Sequence, residues 1–399
     1  MPEYSSADIK FRKQLAVDLL SAGRTSLDDQ KFVDVSLLPE DIALTAALAI
    51  PFPAGLGPKP LPLSPKPHPD DKLPKVDVVL VTWTVAEQTG MADVLTPGFS
   101  RNTWYRYSRN FETKFGPQIR RGAPSAKSGI LGSYFIIKIG GKKVLCFKSE
   151  LHLNQDGIRN YNGSDQTSLP VRDLFKQIIE DTQCKHIFTV GTCGGIQLNH
   201  DLGDVLVTRA ARFYCKSEFQ NAPYNNKTYK SDWNIPTTYF TKAEGLMQSF
   251  AQKLKEPIFG PPTKRHTGTN WTLTTPFKPN IIHEKGTGVK NKLRKFQPIL
   301  TTDFFEFGQS ENAATLWADG CGVEMGDAAL GLACTDDITN PPKWAVIRNI
   351  SDPQINADLT LSPSVLNMQA HWAVWYYLTY GYWTSVMSAL TSWGVVAGL

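Results

Sequence analysis

The 399-residue chain has no C-x-x-C pair, no P-loop lysine and no G-x-G-x-x-G fingerprint. Its six cysteines (Cys146, Cys184, Cys193, Cys215, Cys321, Cys334) are scattered. That spacing excludes a zinc ribbon and argues against a disulfide framework, so it fits reduced thiols in a cytoplasm. The missing glycine fingerprint and P-loop argue against a dinucleotide cofactor or a nucleoside triphosphatase. The opening residues "MPEYSSADIKFRKQL" lack the apolar run of a secretory leader, which also points to the cytoplasm. From residue 359 to Leu399 there is no Asp, Glu, Lys or Arg. The aromatic stretch "HWAVWYYLTYGYWTSVMSALTSWGVVAGL" has the length of a membrane helix, but Thr, Ser and Gly interrupt it and no basic residues flank it. It reads as a helix buried in the fold or at a subunit contact rather than as a membrane span. A net charge of +5 is mild at this size and does not indicate a nucleic-acid partner.

With 41% hydrophobic and 20% charged residues, the chain has the composition of a globular protein. Residues 1–50 carry helical spacing (Ile9, Leu15, Ala16, Leu19, Leu20) and read as a helical N-terminal extension. Residues 51–75 are dense in proline and read as a semi-rigid, extended linker. The rest, 76–399, reads as the main domain. Its first run, "VDVVLV", is a continuous apolar strand, as in a parallel sheet covered on both faces. Further strands are expected at "SYFIIKI", "KKVLCFK", "HIFTV" and "KWAVIRNI", with helical periodicity in "VRDLFKQIIED". Strands alternating with helices predict an α/β domain with a mixed or mostly parallel sheet.

In such sheets ligands sit at the carboxyl ends of the strands. There the sequence places polar residues: Glu87 after the first strand, Thr192 in a glycine run, Asp303 after "QPILTT", and Ser351-Asp352 after "WAVIRNI". The run "HIFTV" is expected to stop at Gly191-Thr192-Cys193-Gly194-Gly195 in a turn. Each of these residues singly is also what a turn or helix cap selects; together they outline one pocket.

Taken in order, "VVLVTWTVAE", "VGTCGGI…LGDVLV", "TTDFFEF", "GVEMGDAALGLAC" and "VIRNISDP" resemble the signature segments of the purine nucleoside phosphorylase and methylthioadenosine nucleosidase superfamily. The resemblance implies a three-layer α/β domain, a central mixed sheet between helices, and a homo-oligomer with no metal or organic cofactor. It implies that Asp352 protonates the leaving purine and that Glu87 activates water. By the same resemblance, Thr192 borders the nucleophile or sugar, Cys193 and Gly194 line the base pocket, Phe305 stacks on the purine and Met325 packs under the ribose. Where the family has a glutamate for the ribose hydroxyls, this chain has Gly326, with Glu324 or Asp327 as substitutes. Bacterial phosphorylases carry an arginine where this chain has Thr189, so the resemblance favours water over phosphate as nucleophile. A phosphorylase and a catalytically silent nucleotide-binding sensor or assembly subunit remain the alternatives. Basic segments at 101–121, 264–271 and 285–296 read either as solvated loops or as a phosphate clamp over the pocket, which would admit a nucleotide such as AMP or ATP. Domains of this superfamily also occur as nucleotide-depleting effectors in bacterial antiviral systems, a role the extension and inserts would suit.

Overall fold

The computed structural model describes residues 48–158, 167–197, 199–216, 218–254, 278–303, 316–352 and 368–399. The helical extension expected over 1–50 lies almost wholly outside them, as do Phe305 and the basic segment 264–271.

The described strands are β1 (Lys59–Pro60), β2 (Val78–Thr82), β3 (Tyr105–Tyr107), β4 (Gly132–Ile139), β5 (Lys142–Ser149), β6 (His186–Gly195), β7 (Val205–Thr208), β8 (Ala210–Phe213), β9 (Thr228–Lys230), β10 (Ile281–His283), β11 (Ile299–Thr301), β12 (Gly322–Glu324) and β13 (Lys343–Asp352). They form one mixed sheet in the order β1-β4-β5-β2-β6-β12-β11-β8-β9, with β13 paired to both β6 and β7. Its centre is parallel: β2 lies between β5 and β6, and β13 runs alongside β6. These strands are the continuous apolar runs of the sequence, and Val78, Val79, Leu80, Ile187, Phe188, Ala345, Val346 and Ile347 are buried. A strand covered on both faces needs no polar alternation, hence the unbroken pattern.

The helices that matter below are α1 (Val85–Leu95), α2 (Pro170–Thr182), α3 (Phe240–Gln248), α4 (Asp327–Leu332) and α5 (Met368–Ala397). The uncharged C-terminal run forms α5, which packs on α1, α3, β6 and β13 of its own chain. No described helix is long and apolar enough to cross a membrane. Val386, Met387, Leu390, Trp393 and Val396 of α5 are buried, and so are Ser385, Ser388, Thr391 and Ser392. The hydroxyls are tolerated there because each donates to a carbonyl one turn back, such as Ser385 to Gly381 (2.6 Å) and Thr391 to Met387 (2.9 Å).

The proline-dense stretch is extended and bound to the domain. Lys59 and Pro60 pair with Lys138 and Ile137, the Leu63 N–H donates to the Tyr105 hydroxyl (2.8 Å), and the Leu73 N–H donates to Asp181 (3.1 Å). Phe52 packs on Trp393, whose indole N–H donates to the Leu56 carbonyl (2.7 Å). The interleaved basic and aromatic residues of 101–121 divide in the same way. Trp104, Tyr105, Tyr107, Phe111 and Phe115 are buried, while Arg109 pairs with Asp181 (2.7 Å) and Arg120 with Glu218 (2.5 Å). The aromatic residues named are core, and two of the segment's arginines are held in ion pairs, while Arg106 and Arg121 are exposed.

Candidate active site

The expectation that the strand ends at Gly191 is corrected by the structure. β6 continues through Gly195, with Gly191, Thr192, Cys193 and Gly194 opposite Arg348, Asn349, Ile350 and Asp352 of β13, and Gly194 and Gly195 opposite Val323 and Gly322 of β12. Glycine is a weak strand former alone, but ladder partners on both sides hold it extended.

This places the ends of β2, β6, β12 and β13 together, and one side chain ties them. Arg348 is buried, with side-chain exposure of 4%. Its Nε and Nη2 hold Asp327 by two bonds (2.9 and 2.5 Å), Nη2 also reaches Glu324 (3.4 Å), and Nη1 reaches Glu87 (3.5 Å) and the Thr192 carbonyl (3.2 Å). Three carboxylates thus surround one guanidinium. Burial opposes its charge, but Asp327, Glu324 and Glu87 more than reverse this and fix Arg348 as a cation.

Glu87 sits in the first turn of α1, where Thr84 is the N-cap of a capping box. Its Oε2 accepts from the Thr82 hydroxyl and the Trp83 and Thr84 N–H groups, each at 2.9 Å. Its Oε1 accepts from the Thr192 N–H (2.7 Å) and hydroxyl (2.9 Å). Burial pushes its pKa up, yet the Arg348 charge and the N–H donors of Thr84, Thr192 and Trp83 outweigh burial and hold it below the ordinary value. Glu87 and Thr192, 105 residues apart, are therefore in direct contact.

Asp352 closes β13 in the opposite electrostatic state. It is half-buried, and its carboxylate accepts from Ser351 (2.7 Å). Burial raises its pKa to about 7, and the Ser351 hydroxyl only partly offsets this. Glu87, in the helix that follows β2, and Asp352, at the end of β13 across β6, are thus driven apart, one ionised and one able to hold a proton near neutrality.

The other expected residues fall as follows. Thr192 and Gly194 are partly exposed, and Met325 is partly exposed just after β12. Cys193 is buried in the core, with its thiol raised well above the usual range by burial and by Asp352. Glu324 and Asp327 face Arg348: Glu324 accepts from the Gly326 N–H (2.5 Å), the Asp327 N–H (3.0 Å) and the Thr301 hydroxyl. Burial and the neighbouring Asp327 raise Glu324. Asp303 binds the N–H groups of Lys216 (3.0 Å) and Phe219 (2.7 Å) and so anchors a loop. A side chain at Gly326 would meet the Trp83 indole at 3.0 Å. Trp83 is buried, lies 4.7 Å from the Arg348 guanidinium, and donates its N–H to the Leu151 carbonyl (2.9 Å).

Arg348, Trp83 and His152 are additions the sequence reading missed. For Arg348 the signal was there: one arginine inside the apolar run "WAVIRNI". His152 lies near Glu87 and Lys148; burial and Lys148 push its pKa down to about 3, and neither ring nitrogen makes a hydrogen bond among the described residues, Nδ1 standing 4.0 Å from Asp156.

Gly191 explains part of the glycine run. A Cβ there would come within 2.5 Å of Arg348 Nη1 and would also strike Glu87. Gly191→Ala is expected to separate the pair and slow turnover by about 10²-fold, the scale of a 1 Å misplacement. Steady-state kinetics checks this, and wild-type kcat in that variant would show that the contact has no catalytic part.

No family model matches the sequence, and no curated protein matches it. Among solved structures the chain is similar to a 5'-methylthioadenosine/S-adenosylhomocysteine nucleosidase from Neisseria meningitidis in complex with methylthio-immucillin-A, with a TM-score of 0.43 and 13% identity over 81% of this chain and 100% of that one. It is also similar to the futalosine hydrolase of Helicobacter pylori, with a TM-score of 0.42 and 10% identity over 81% of this chain and 97% of that one. A third similar structure is the 5'-methylthioadenosine/S-adenosylhomocysteine nucleosidase from Helicobacter pylori, with a TM-score of 0.43 and 11% identity over 82% of this chain and 100% of that one.

Proposed function

We propose that this chain hydrolyses the N-glycosidic bond of a purine nucleoside or nucleotide. The observation that carries this reading is an ionised Glu87, bound to Thr192 of β6 and to Arg348, together with a protonatable Asp352 at the end of β13, on the other side of β6 from β2. Glycosidic cleavage builds cationic character on the sugar and negative charge on the departing base. Asp352 donates its proton to a ring nitrogen of the base, which leaves neutral. Glu87, fixed by six hydrogen bonds, supplies a negative charge that does not have to reorganise as the oxocarbenium forms. To orient a water and take its proton late, Glu87 exchanges one of these bonds, the Thr192 hydroxyl contact to Oε1, for the water. The water attacks the anomeric carbon, its proton passes to Glu87, and free base and free sugar result.

The same cluster argues for water over phosphate. One guanidinium meets three carboxylates, so the cradle has no spare positive charge for a dianion. Thr189, where a phosphorylase would present an arginine, is buried within β6.

A second reading, a silent nucleotide-binding subunit, is favoured by one observation. Glu324 and Asp327 are engaged with Arg348 and backbone N–H groups, and Trp83 fills the space at Gly326, so neither carboxylate is free for sugar hydroxyls. Incubation with adenosine, AMP, ATP and their guanine counterparts, with and without phosphate, separates the readings by chromatography of released base. Base release without phosphate is the expected result. Release only with phosphate identifies a phosphorylase, and binding with no release identifies a sensor. The nucleotide arms of the assay also test whether nucleotide depletion, the chemistry of an antiviral effector, is available to this chain.

A further inference from the structure

A second concave feature lies toward the other end of the sheet. β7 and β13 are antiparallel, with Val205 opposite Asn349 and Thr208 opposite Val346. Thr208 is therefore level with a point six residues before Asp352, about 20 Å at the rise of a strand. Just beyond it, Arg209, His283, Lys285 and Arg294 line a shallow surface indentation open to solvent, with Ile235 and Phe240 on its apolar side.

The polar side carries an excess of positive charge. The Arg209 side chain is only 10% exposed. Its Nη2 binds Glu284 (2.8 Å) and its Nη1 donates to the Trp233 carbonyl (3.1 Å), while its buried Nε has no partner among the described residues. The buried Nδ1 of His283 has none either. Lys285 donates to the Ile235 carbonyl (3.4 Å) and Arg294 to the Trp317 and Ala318 carbonyls (both 3.1 Å), and neither meets a carboxylate among the described residues. Lys230 and Lys295 add charge nearby, 5.6 and 5.3 Å from the Phe296 ring, over which Arg209 stacks at 4.2 Å. Lys290, by contrast, is neutralised by Asp201 (2.6 Å) and Asp204 (3.3 Å). Against these cations the recess itself offers one carboxylate, Glu284.

Buried polar atoms without partners are uncommon, and two on residues lining one recess ask for a ligand. A water would satisfy the two atoms but would leave the charge uncompensated. A phosphate group answers both needs. It has several acceptor oxygens for an arginine edge, an imidazole N–H and a lysine, and its charge offsets theirs. We propose that the recess formed by Arg209, His283, Lys285 and Arg294 is an anion site that takes a phosphate group, free or esterified, separate from the candidate active site. The apolar side at Ile235 and Phe240 gives an ester's organic part a surface to lie on. The basic segment 285–296, for which the sequence offers solvated loop or clamp over the pocket, thus contributes its Lys285 and Arg294 to a different place.

Calorimetric titration of the full chain with inorganic phosphate and with ribose 5-phosphate, at constant ionic strength, tests this. One saturable site per chain is expected. Lys285→Ala with Arg294→Ala, both at exposed positions and so compatible with folding, should weaken binding about ten- to a hundredfold. Arg209→Lys should weaken it too, while Asp352→Asn and Thr192→Val bind as the wild type does. Tighter binding of ribose 5-phosphate identifies an ester as the ligand, and equal binding identifies the phosphate group alone; either supports the site. Absence of saturable binding overturns it. So does binding that survives in the Lys285/Arg294 double variant but is lost in Thr192→Val, which would place the anion in the active site. The readout is binding, so it stands whether or not the chain cleaves a glycosidic bond.

Discussion

Asp352→Asn is expected to release base about 10²–10⁴-fold more slowly than the wild type, the range a positioned general acid contributes. The amide matches the carboxyl in shape and keeps a partner for Ser351 (2.7 Å in the wild type), so folding should be intact. What it lacks is a proton to give. The pH profile carries the sharper signature. Burial holds the Asp352 carboxyl protonated up to about pH 7, so the acid form dominates below that value and is lost above it. In the wild type kcat/KM should fall about tenfold per pH unit on the alkaline side. In Asp352→Asn that limb should vanish, and the residual rate should be flat through pH 7–9 (about two units on the same scale). Undiminished turnover, or an alkaline limb that persists in the variant, would remove Asp352 from the acid role.

Arg348→Met should have the largest effect on stability. It removes the one guanidinium that Glu87, Glu324 and Asp327 share, in a site where its own exposure is 4%. Breaking a buried ion pair by deleting one partner costs about 3–5 kcal/mol, because the charge left behind is neither solvated nor paired. Here three carboxylates are left, and the cheapest relief is to protonate one or more of them. The loss should therefore be greater at pH 8 than at pH 5. Chemical denaturation at both pH values reads it as a shift of the midpoint. Combining Arg348→Met with Asp327→Asn should recover part of the loss, since Asp327 holds Arg348 by its shortest contact, 2.5 Å. Arg348→Lys should fall between, keeping the charge and losing the two-bond grip. An Arg348→Met chain as stable as the wild type would mean that the carboxylates are held by something other than this cation.

Much of this was legible in one dimension. The continuous apolar runs of β2, β6 and β13 announced a sheet covered on both faces, and the absence of charge after residue 358 announced a buried helix. Glu87, Thr192 and Asp352 stood out as polar residues closing apolar strands. The run "VGTCGG" was read as a turn because glycine lacks local strand preference. That failed because β12 and β13 pair with the run from both sides, and pairing is not a local property. Arg348 was passed over for a related reason. Alone in a strand it resembles an edge residue, and its meaning appears only when Glu324 and Asp327 arrive from one other segment and Glu87 from a second.

The order of elements and the class of fold follow from residue types and their periodicity, because those depend on neighbours a few positions away; the same pattern offered Glu87, Asp303 and Asp352 alike, and only the resemblance separated them. The charge states depend on the whole structure. Asp352 and Glu87 are both carboxylates after apolar strands, yet one is driven up by burial and the other held down by Arg348 and converging N–H groups. The pairing of Lys290 and the unmatched charge of Lys285 and Arg294 in the same basic segment were settled in the same way. Electrostatic energies fall with distance and rise with desolvation, and both are set between segments up to 261 residues apart.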